Sequence, residues 1–496
     1  MKNVSVIKGA FIYVMMRWMD RLIGFISTLI LARWLVPADF GIIAMISLVI
    51  GIAEVLLDLG VNVALIQNRA ATQAHYDTAW TLRLLQACGT VLIVWLLAPY
   101  AGDYFHDQRI VPVLRIACLG SLFAALENIG VVTFQKDLRA DLDFLLIFIK
   151  RIAGFAATVI LAWLFHSYWA LVFATLFGRL VGVIASYVMH PMRPRLSLEK
   201  LGEIFGVSQW MLINSIGAYI NLNLHKTLVG RYSNATMMGG YTLSDEISAM
   251  PSTEILAPLN RILFPTFVRA KNDPVELKRN FLLAQGLQCL IAIPASLGLA
   301  LVAGPAVQVL LGEKWMMVVP FVQILALTNI VHAIATSTSL MLLSLGRNRN
   351  ATASTWTQVM LFAAIALLVL DHPQALQLAW LRLGCVAAGL LVALVTVMRA
   401  MRNVSLLDML RNVYRPLLGA LAMAGVIHMV EPWVPAMPSL QLIMLIVVGA
   451  LTYIVTVLAV WTVVGRPQGA EAYLIEKAAG VLKRRSAAKL GGVLES

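Results

Sequence analysis

Charged residues are scarce in this chain. Of its 496 residues only 13% are Asp, Glu, Lys or Arg, whereas 60% are hydrophobic and the mean hydropathy is +0.83. A soluble domain carries about 25% charged residues, and it could not bury this much apolar surface. The composition therefore excludes a soluble fold, a disordered chain and a disulfide scaffold.

Motifs for catalysis and metal binding are also lacking. The sequence contains no P-loop, no HExxH and no CxxC, so it predicts no enzyme, no direct use of ATP, no cofactor and no metal. Its four cysteines lie far apart inside apolar segments, as is typical of buried packing thiols; they are Cys88, Cys118, Cys289 and Cys385. The net charge of +13 does not indicate nucleic acid, because the basic residues alternate with long apolar runs.

Apolar runs long enough to cross a membrane dominate the sequence. A transmembrane helix needs about 20 mostly apolar residues. Fourteen runs meet this length: 11–36, 40–66, 78–101, 109–133, 143–164, 167–189, 207–230, 238–263, 281–303, 317–344, 351–370, 375–398, 413–430 and 438–464. The sequence therefore predicts an all-α integral membrane protein with 14 transmembrane helices.

The basic residues between the spans predict the orientation. With the N-terminus inside, twenty-four loop Lys and Arg residues fall on the cytoplasmic side, and only Arg109, Arg231 and Lys314 fall outside. Cytoplasmic loops are enriched in Lys and Arg, so the pattern predicts an N-in, C-in topology. Residues 465–496 form a basic tail, which we expect at the inner membrane surface.

Two local patterns recur about 200 residues apart and indicate an internal repeat. Ala32-Arg33-Trp34 before Gly41 is similar to Gly230-Arg231-Tyr232 before Gly239, and 111–116 is similar to 319–324. The partners are six helices apart, so the repeats share one orientation. We expect two parallel six-helix lobes around a central cavity (residues 1–200 and 201–400), followed by two helices and the tail (401–496).

Eleven basic and seven acidic residues fall inside the predicted spans. A charge at the bilayer centre costs about 2.5–3.5 kcal/mol, so these groups must face water, pair with each other or reach the interface. Eight of the basic residues but only four of the acids lie in the first lobe. A net positive cavity follows, and it favours an anionic cargo because arginine binds phosphate and carboxylate with two parallel hydrogen bonds.

Several embedded residues are candidates for particular roles. The predicted substrate-binding residues of the cavity are Arg17, Arg21, Arg179, His225, Lys226 and Arg261. The candidates for binding a coupling ion are Asp58, Asp245 and Glu246, and the gate candidates are Arg33 and Arg231, at matching positions of the repeat. Glu54 and Asp58 share one helical face, which either pairs with Arg17 and Arg21 or lines the cavity.

Four stretches resemble the Wzx-type polysaccharide flippases of the multidrug/oligosaccharidyl-lipid/polysaccharide exporter superfamily, most of all the colanic-acid exporter group. They are 31–33 leading to Phe40-Gly41, Asp58-Leu59-Gly60 with Ile66-Gln67, 262–265 with Phe267, and 312–315 followed by Pro320. His225 and Lys226 depart from that group, which carries small polar residues there. The last 100 residues match only in hydropathy.

The resemblance implies that the chain moves an undecaprenyl-diphosphate-linked oligosaccharide across the bacterial inner membrane by alternating access, for exopolysaccharide or O-antigen synthesis. Membrane lipids, a polysaccharide polymerase and a chain-length regulator are the implied partners. Two alternatives remain: a cation-coupled multidrug exporter of the same superfamily, which would favour an acidic cavity, and a membrane polysaccharide polymerase. A polymerase would need a long outer loop or a soluble domain, which this sequence does not offer.

Overall fold

The computed structural model describes residues 2–477 and 479, apart from 59, 69, 138, 206–207, 251–255, 402 and 436. Inside helices, the description also leaves out the side chains of 2–14, 17, 62–63, 67, 204–205, 208–214, 257–258, 261 and 348–351. Across the described residues the chain is helical, with connecting turns and no strand.

The α-helices follow one another along the chain in this order: α1 Lys2–Trp34, α2 Pro37–Leu57, α3 Val61–Gln67, α4 Gln73–Tyr104, α5 Ile110–Ala117, α6 Leu119–Leu126, α7 Val132–Lys136, α8 Ala140–Phe165, α9 Trp169–Met189, α10 Leu201–Phe205, α11 Ser208–Tyr232, α12 Ala235–Met250, α13 Leu256–Ala270, α14 Pro274–Leu301, α15 Ala303–Leu310, α16 Val319–Ser344, α17 Asn348–Leu368, α18 Ala375–Ala400, α19 Leu406–Val430 and α20 Pro438–Val463.

Nine described helical segments are long and apolar enough to cross a membrane, and a bent pair brings the number to ten. This chain is therefore a multi-pass membrane protein. Helices α1, α11 and α17 coincide with predicted spans but are not among the nine. The total of fourteen spans and the N-in, C-in orientation stay predictions.

Two predicted spans are broken where the sequence suggested continuous helices. The predicted span 40–66 divides into α2 and α3 because Gly60 adopts a left-handed conformation, with φ of 62°, and its N–H donates to Asp58 Oδ1 at 2.9 Å. The predicted span 109–133 bends by 64° between Leu126 and Ile129. Both breaks release backbone carbonyls from helical pairing, so these carbonyls need other hydrogen-bond donors.

Helix starts follow ordinary capping rules. Asp273 precedes α14 and accepts the N–H groups of Val275 and Glu276 at 2.9 and 3.1 Å, with Pro274 in the first turn. Ser405 Oγ accepts the Asp408 N–H at 3.2 Å at the start of α19. Such caps fix where these helices begin.

The chain packs into two compact units. The first unit comprises Met1–Leu243, Leu310–Met317 and Ile365–Leu378. Within it, α8 packs against α9 and α1, and Asp20 pairs with Arg151 at 2.9 Å. On the cytoplasmic side of the predicted topology, Lys200 and then His75 hydrogen-bond Glu203 and lower the pKa of its exposed carboxyl.

The second unit comprises Ser244–Val309, Val318–Ala364 and Ala379–Ser496. Helix α14 is its centre and packs against α13, α16 and α19. One buried cluster includes Phe267, Phe281 and Met341, and a second joins α14, α19 and α20 through residues such as Ile293, Met423 and Tyr453. The sequence-based lobes with boundaries at residues 200 and 400 stay a prediction.

A buried ion pair attaches the segment after α20 to this unit. Arg415 of α19 and Glu471 lie 3.3 Å apart, and their side chains are only 5% and 4% exposed. The neighbouring Ala470 covers Gly286 of α14, where an added Cβ would lie 3.2 Å from the Ala470 Cβ. The ion pair and Ala470 together therefore join the C-terminal segment to α19 and α14 of the second unit.

Removing one member of this pair should destabilise the protein strongly. Arg415→Ala or Glu471→Ala leaves a buried charge uncompensated, which costs about 3–5 kcal/mol, and we expect a lower unfolding temperature of the purified protein in detergent. The double exchange Arg415→Glu with Glu471→Arg should recover part of the loss. The exposed pair Arg139–Asp141 is the matched control, and its removal should leave the transition unchanged. Equal transitions for wild type and Glu471→Ala would contradict the structural role of the pair.

Candidate functional site: a polar cavity in the first unit

Helix α2 presents two carboxylates to a cavity inside the first unit. Glu54 and Asp58 lie one turn apart and are both exposed to it. The cavity has a volume of about 460 Å³ and is lined by Gly51, Glu54, Val55, Leu57, Asp58, Arg83, Gln86, Ala87, Thr90, Ser121, Ala124, Ala125 and Tyr219. The shared face expected from the i,i+4 spacing of Glu54 and Asp58 is thus a cavity wall.

Hydrogen bonds hold both carboxylates in place. Glu54 Oε1 accepts the Ser121 hydroxyl of α6 at 2.6 Å. Asp58 follows the last residue of α2 and accepts the Gly60 N–H. Each carboxylate has roughly four lone-pair positions, so these bonds orient Glu54 and Asp58 without using all of their accepting capacity.

Helix α4 supplies donors to the carbonyls released by the two helix breaks. Gln86 Nε2 donates to the Leu57 carbonyl at the end of α2 at 2.6 Å. Arg83 Nη2 donates to the Ala124 carbonyl near the end of α6 at 2.7 Å. These polar side chains are tolerated in an apolar helix because each pairs with a backbone carbonyl that its own helix leaves free.

The break after α6 is itself fixed by side chains. Glu127 forms an ion pair with Lys150 of α8. Asn128 is fully buried, accepts the Gly130 N–H at 2.9 Å and donates to the Met192 carbonyl at 2.7 Å. The bent span is therefore a rigid feature beside the cavity.

Tyr219 of α11 separates the polar cavity from an apolar pocket. Its hydroxyl donates to the Leu48 carbonyl of α2 at 2.7 Å, and its ring lies directly on Gly51, where a Cβ would come within 2.7 Å of the hydroxyl. The apolar pocket has a volume of about 390 Å³, shares Tyr219 with the polar cavity, and is lined further by Leu48, Val49, Ile52, Leu97, Tyr100, Ala101, Tyr104, Phe105, Ile220, Asn223, Leu224 and Thr227.

Of the residues predicted to bind substrate, Arg179 and His225 have well-defined surroundings. The Arg179 guanidinium packs on Gly120 of α6, 3.0 Å from where a Cβ would stand, and Arg179 is not among the residues that line the polar cavity. His225 is 1% exposed; its Nε2 donates to the Leu222 carbonyl at 3.0 Å, so its Nδ1 accepts the Tyr241 hydroxyl at 2.8 Å. In this conformation His225 packs in the unit, and its role in binding stays a prediction.

The remaining predicted residues differ in their exposure. Arg21, Lys226 and Asp245 are half-buried and engaged in contacts, whereas Glu246 and Arg33 are exposed and also engaged. The side chains of Arg17 and Arg261 lie outside the described residues. None of these positions tests the predicted roles, which stay predictions.

The gate candidates, Arg33 and Arg231, contact other chain segments of the first unit. Lys314 Nζ donates to the Arg33 carbonyl at 2.9 Å, and the fully buried Trp315 donates to the Ala32 carbonyl at 2.9 Å, so both cap the end of α1. Arg231 Nη1 donates to the Tyr104 carbonyl at 2.6 Å. Residues 31–33, 40–41 and 312–315, which carry the family resemblance, thus come together at one place.

Helix α2 and the start of α12 approach there backbone to backbone. A Cβ on Gly41 would overlap the Ala235 carbonyl, and a Cβ on Gly239 would overlap the Pro37 carbonyl. Only glycine permits this approach. The two glycines of the internal repeat, Gly41 and Gly239, are therefore both contact residues.

A sequence profile for polysaccharide biosynthesis proteins matches residues 30–320. The chain belongs to this family. The match covers the polar cavity, the apolar pocket and the cap on α1.

Individual relatives agree with the family. The lipopolysaccharide biosynthesis protein WzxC of Escherichia coli is 25% identical over 63% of this chain and 64% of its own length. The succinoglycan biosynthesis transport protein ExoT of Rhizobium meliloti is 26% identical over 62% of each chain. These alignments span less than two thirds of both relatives. A Klebsiella pneumoniae membrane protein of the cps region is 22% identical over 88% of this chain and 91% of its own.

Solved structures show the same fold. The lipid II flippase MurJ in an inward closed conformation superposes with a TM-score of 0.74 at 12% identity, over 91% of this chain and 98% of that chain. An inward-facing multidrug transporter of the MATE family gives 0.61 at 16% identity, over 76% and 95%. An all-helical fold similar to MurJ and the MATE transporters is thereby confirmed.

Sequence reasoning missed most of the cavity. Arg83, Gln86, Thr90, Ser121 and Tyr219 line the cavity but were not among the candidate residues. Arg83, Gln86 and Thr90 follow one another at helical spacing, so a polar stripe on an apolar helix was the available signal. Ser121 and Tyr219 come to the cavity only through tertiary packing.

Adding a methyl group at the α2 contact should destabilise the first unit. Gly41→Ala or Gly239→Ala places a Cβ against backbone, which cannot move aside as a flexible side chain could, and overpacking costs about 1–3 kcal/mol or more. We expect a lower unfolding temperature in detergent for both. Gly384→Ala in α18 is the control, since its Cβ would meet nothing within 4 Å. Wild-type transitions for both contact variants would contradict the close approach.

Proposed function

We propose that this chain is a flippase that moves an anionic, undecaprenyl-diphosphate-linked oligosaccharide from the inner to the outer leaflet of the bacterial inner membrane by alternating access. The observation that carries the proposal is a charged, open cavity inside apolar helices of a polysaccharide biosynthesis family member. Transport of a polar solute requires such a cavity, and charged groups inside a membrane mark such pathways.

Transport is a better account of the chain than catalysis. WzxC is named for lipopolysaccharide biosynthesis, ExoT for succinoglycan transport and MurJ as a lipid II flippase. Polysaccharide polymerases and chain-length regulators remain candidate partners, since an exported repeat unit must next be joined to others.

The proposed binding site for the diphosphate consists of cations of the first and seventh predicted spans. Arg21 and Lys226 are its described members, and Arg17 is the third. Asp58, Asp245 and Glu246 are the proposed binding residues for a coupling ion. A drug exporter is the second candidate function, because Glu54 and Asp58 give the polar cavity two exposed carboxylates; resistance of host cells to cationic dyes, lost on deletion, would favour it.

Removing the cations that are proposed to bind the diphosphate should impair export more than folding of the protein. Arg21→Ala and Lys226→Ala should each lower polymer export at least about tenfold, which corresponds to 1.4 kcal/mol of lost binding. Arg21→Lys should recover only part because a point charge cannot reproduce the bidentate guanidinium, whereas Lys226→Arg should be tolerated. The measurement is polymer export per molecule of inserted protein in a deletion strain, with the exposed Lys271→Ala as control. Normal export from both alanine variants would exclude a role of Arg21 and Lys226 in binding the diphosphate.

The proposed topology has fourteen spans with both termini inside, two six-helix lobes and two further helices. Single cysteines at the exposed positions His106, Asn234 and His372 should react with an impermeant thiol reagent added to intact cells. Cysteines at the exposed positions Asp137, Asn272 and Arg347 should react only after permeabilisation. The background is Cys88→Ala, because Cys88 is exposed. Reversed labelling at two positions would contradict the topology.

A further inference from the structure

The polar cavity of the first unit has a lining that suits hydroxyl-rich ligands. Its walls offer carboxylates from Glu54 and Asp58, hydroxyls from Thr90 and Ser121, and the ring of Tyr219. A sugar ring needs both donors and acceptors at several positions, together with an apolar or aromatic surface for its C–H face. Carboxylates are strong acceptors for hydroxyl donors, because bonds to an ionised group are about twice as strong as neutral ones.

The same lining disfavours the diphosphate. Glu54 and Asp58 supply two carboxylates, and Arg83 is the one cation among the described lining residues, so the lining is net negative. Like charges about 4 Å apart repel by about 4 kcal/mol at the dielectric of a protein surface. The net negative lining therefore disfavours an anionic group of the cargo, and it favours an uncharged or positively charged part.

Size and rigidity agree with a binding role. The volume of about 460 Å³ falls within the roughly 300–1,000 Å³ of typical ligand sites. The Tyr219 ring is held by two contacts in the absence of a ligand: its hydroxyl donates to the Leu48 carbonyl, and the ring packs closely on Gly51. The Ser121 hydroxyl fixes the Glu54 carboxylate in the same way. A pre-formed site pays little ordering entropy on binding.

We infer that this cavity binds neutral or amino sugar residues of the transported oligosaccharide, with Glu54 as the principal hydrogen-bond acceptor, Asp58 as a second acceptor and Tyr219 as the wall against the sugar ring. The inference rests on the proposed function and adds to it a division of the cargo. Sugars occupy the acidic cavity of α2, α4 and α6, and the diphosphate binds to cations elsewhere. The site would select against uronic acids and other anionic sugars.

Three probes separate the two parts of the cargo. The first is the lipid-linked repeat unit extracted from a host strain that lacks this gene. The second is the oligosaccharide released from it by mild acid, and the third is undecaprenyl diphosphate without sugar. Binding to the full-length protein in lipid nanodiscs is measured for each, together with the unfolding temperature of every variant.

Glu54→Gln should weaken binding of the released oligosaccharide at least tenfold and leave binding of undecaprenyl diphosphate unchanged. Ser121→Ala, which frees the carboxylate without removing it, should have a smaller effect in the same direction and serves if Glu54→Gln does not fold. Glu199→Gln, on the exposed segment before α10, is the matched control. The reverse selectivity is expected of Arg21→Ala.

Each other outcome overturns the inference. Wild-type oligosaccharide binding by a folded Glu54→Gln variant would do so, and so would equal losses for oligosaccharide and diphosphate. Unchanged sugar binding combined with a lost pH dependence of export would assign Glu54 to proton coupling instead. If wild-type protein binds the intact unit but not the released oligosaccharide, the inference falls and the proposed function stands. If it binds neither, both fall.

Discussion

The satisfaction of backbone groups inside the bilayer is the constraint on which this structure depends. Each break in a span frees carbonyls from helical pairing, and a polar group left unpaired in apolar surroundings costs several kcal/mol. Gln86 donates a hydrogen bond to the Leu57 carbonyl at the end of α2, and Arg83 donates one to the Ala124 carbonyl near the end of α6. Trp315 donates one to the Ala32 carbonyl near the end of α1. Several of the scarce polar side chains therefore serve as hydrogen-bond partners of backbone carbonyls.

The cavity is a consequence of the same requirement. Breaking α2 at residues 58–60 brings Asp58 to the end of the helix, and bending the span after α6 brings its polar end beside α4. Once Arg83 and Gln86 have turned to the freed carbonyls, the carboxylates of α2 remain facing the open volume. Structural and functional interpretations of embedded polar residues therefore do not exclude each other, because the side chains that bind the freed carbonyls line the same cavity as Glu54 and Asp58.

The sequence predicted what depends on local pattern. Apolar length identified the helical membrane fold, and i,i+4 spacing put Glu54 and Asp58 on one face. The repeat singled out Gly41 and Gly239, which both turned out to be contact residues. The sequence did not predict features that depend on tertiary packing. These are the breaks at Gly60 and after Leu126, the Ser121 bond to Glu54, and the burial of His225 against Tyr241. A histidine in an apolar span gives no sign of its partner, because the Tyr241 hydroxyl is placed by the packing of α11 with α12.

Under the proposed function, Tyr219 would order an amphiphilic cargo. Its ring separates about 460 Å³ of polar space from about 390 Å³ of apolar space along α2. Because polar groups pay a desolvation cost on the apolar side, and hydrocarbon gains nothing from contact with the carboxylates, the two volumes favour different parts of the same molecule. The position of the partition rests on Gly51, since any larger residue would displace the ring from α2. Gly51 therefore helps to determine where the boundary between the polar and the apolar space lies.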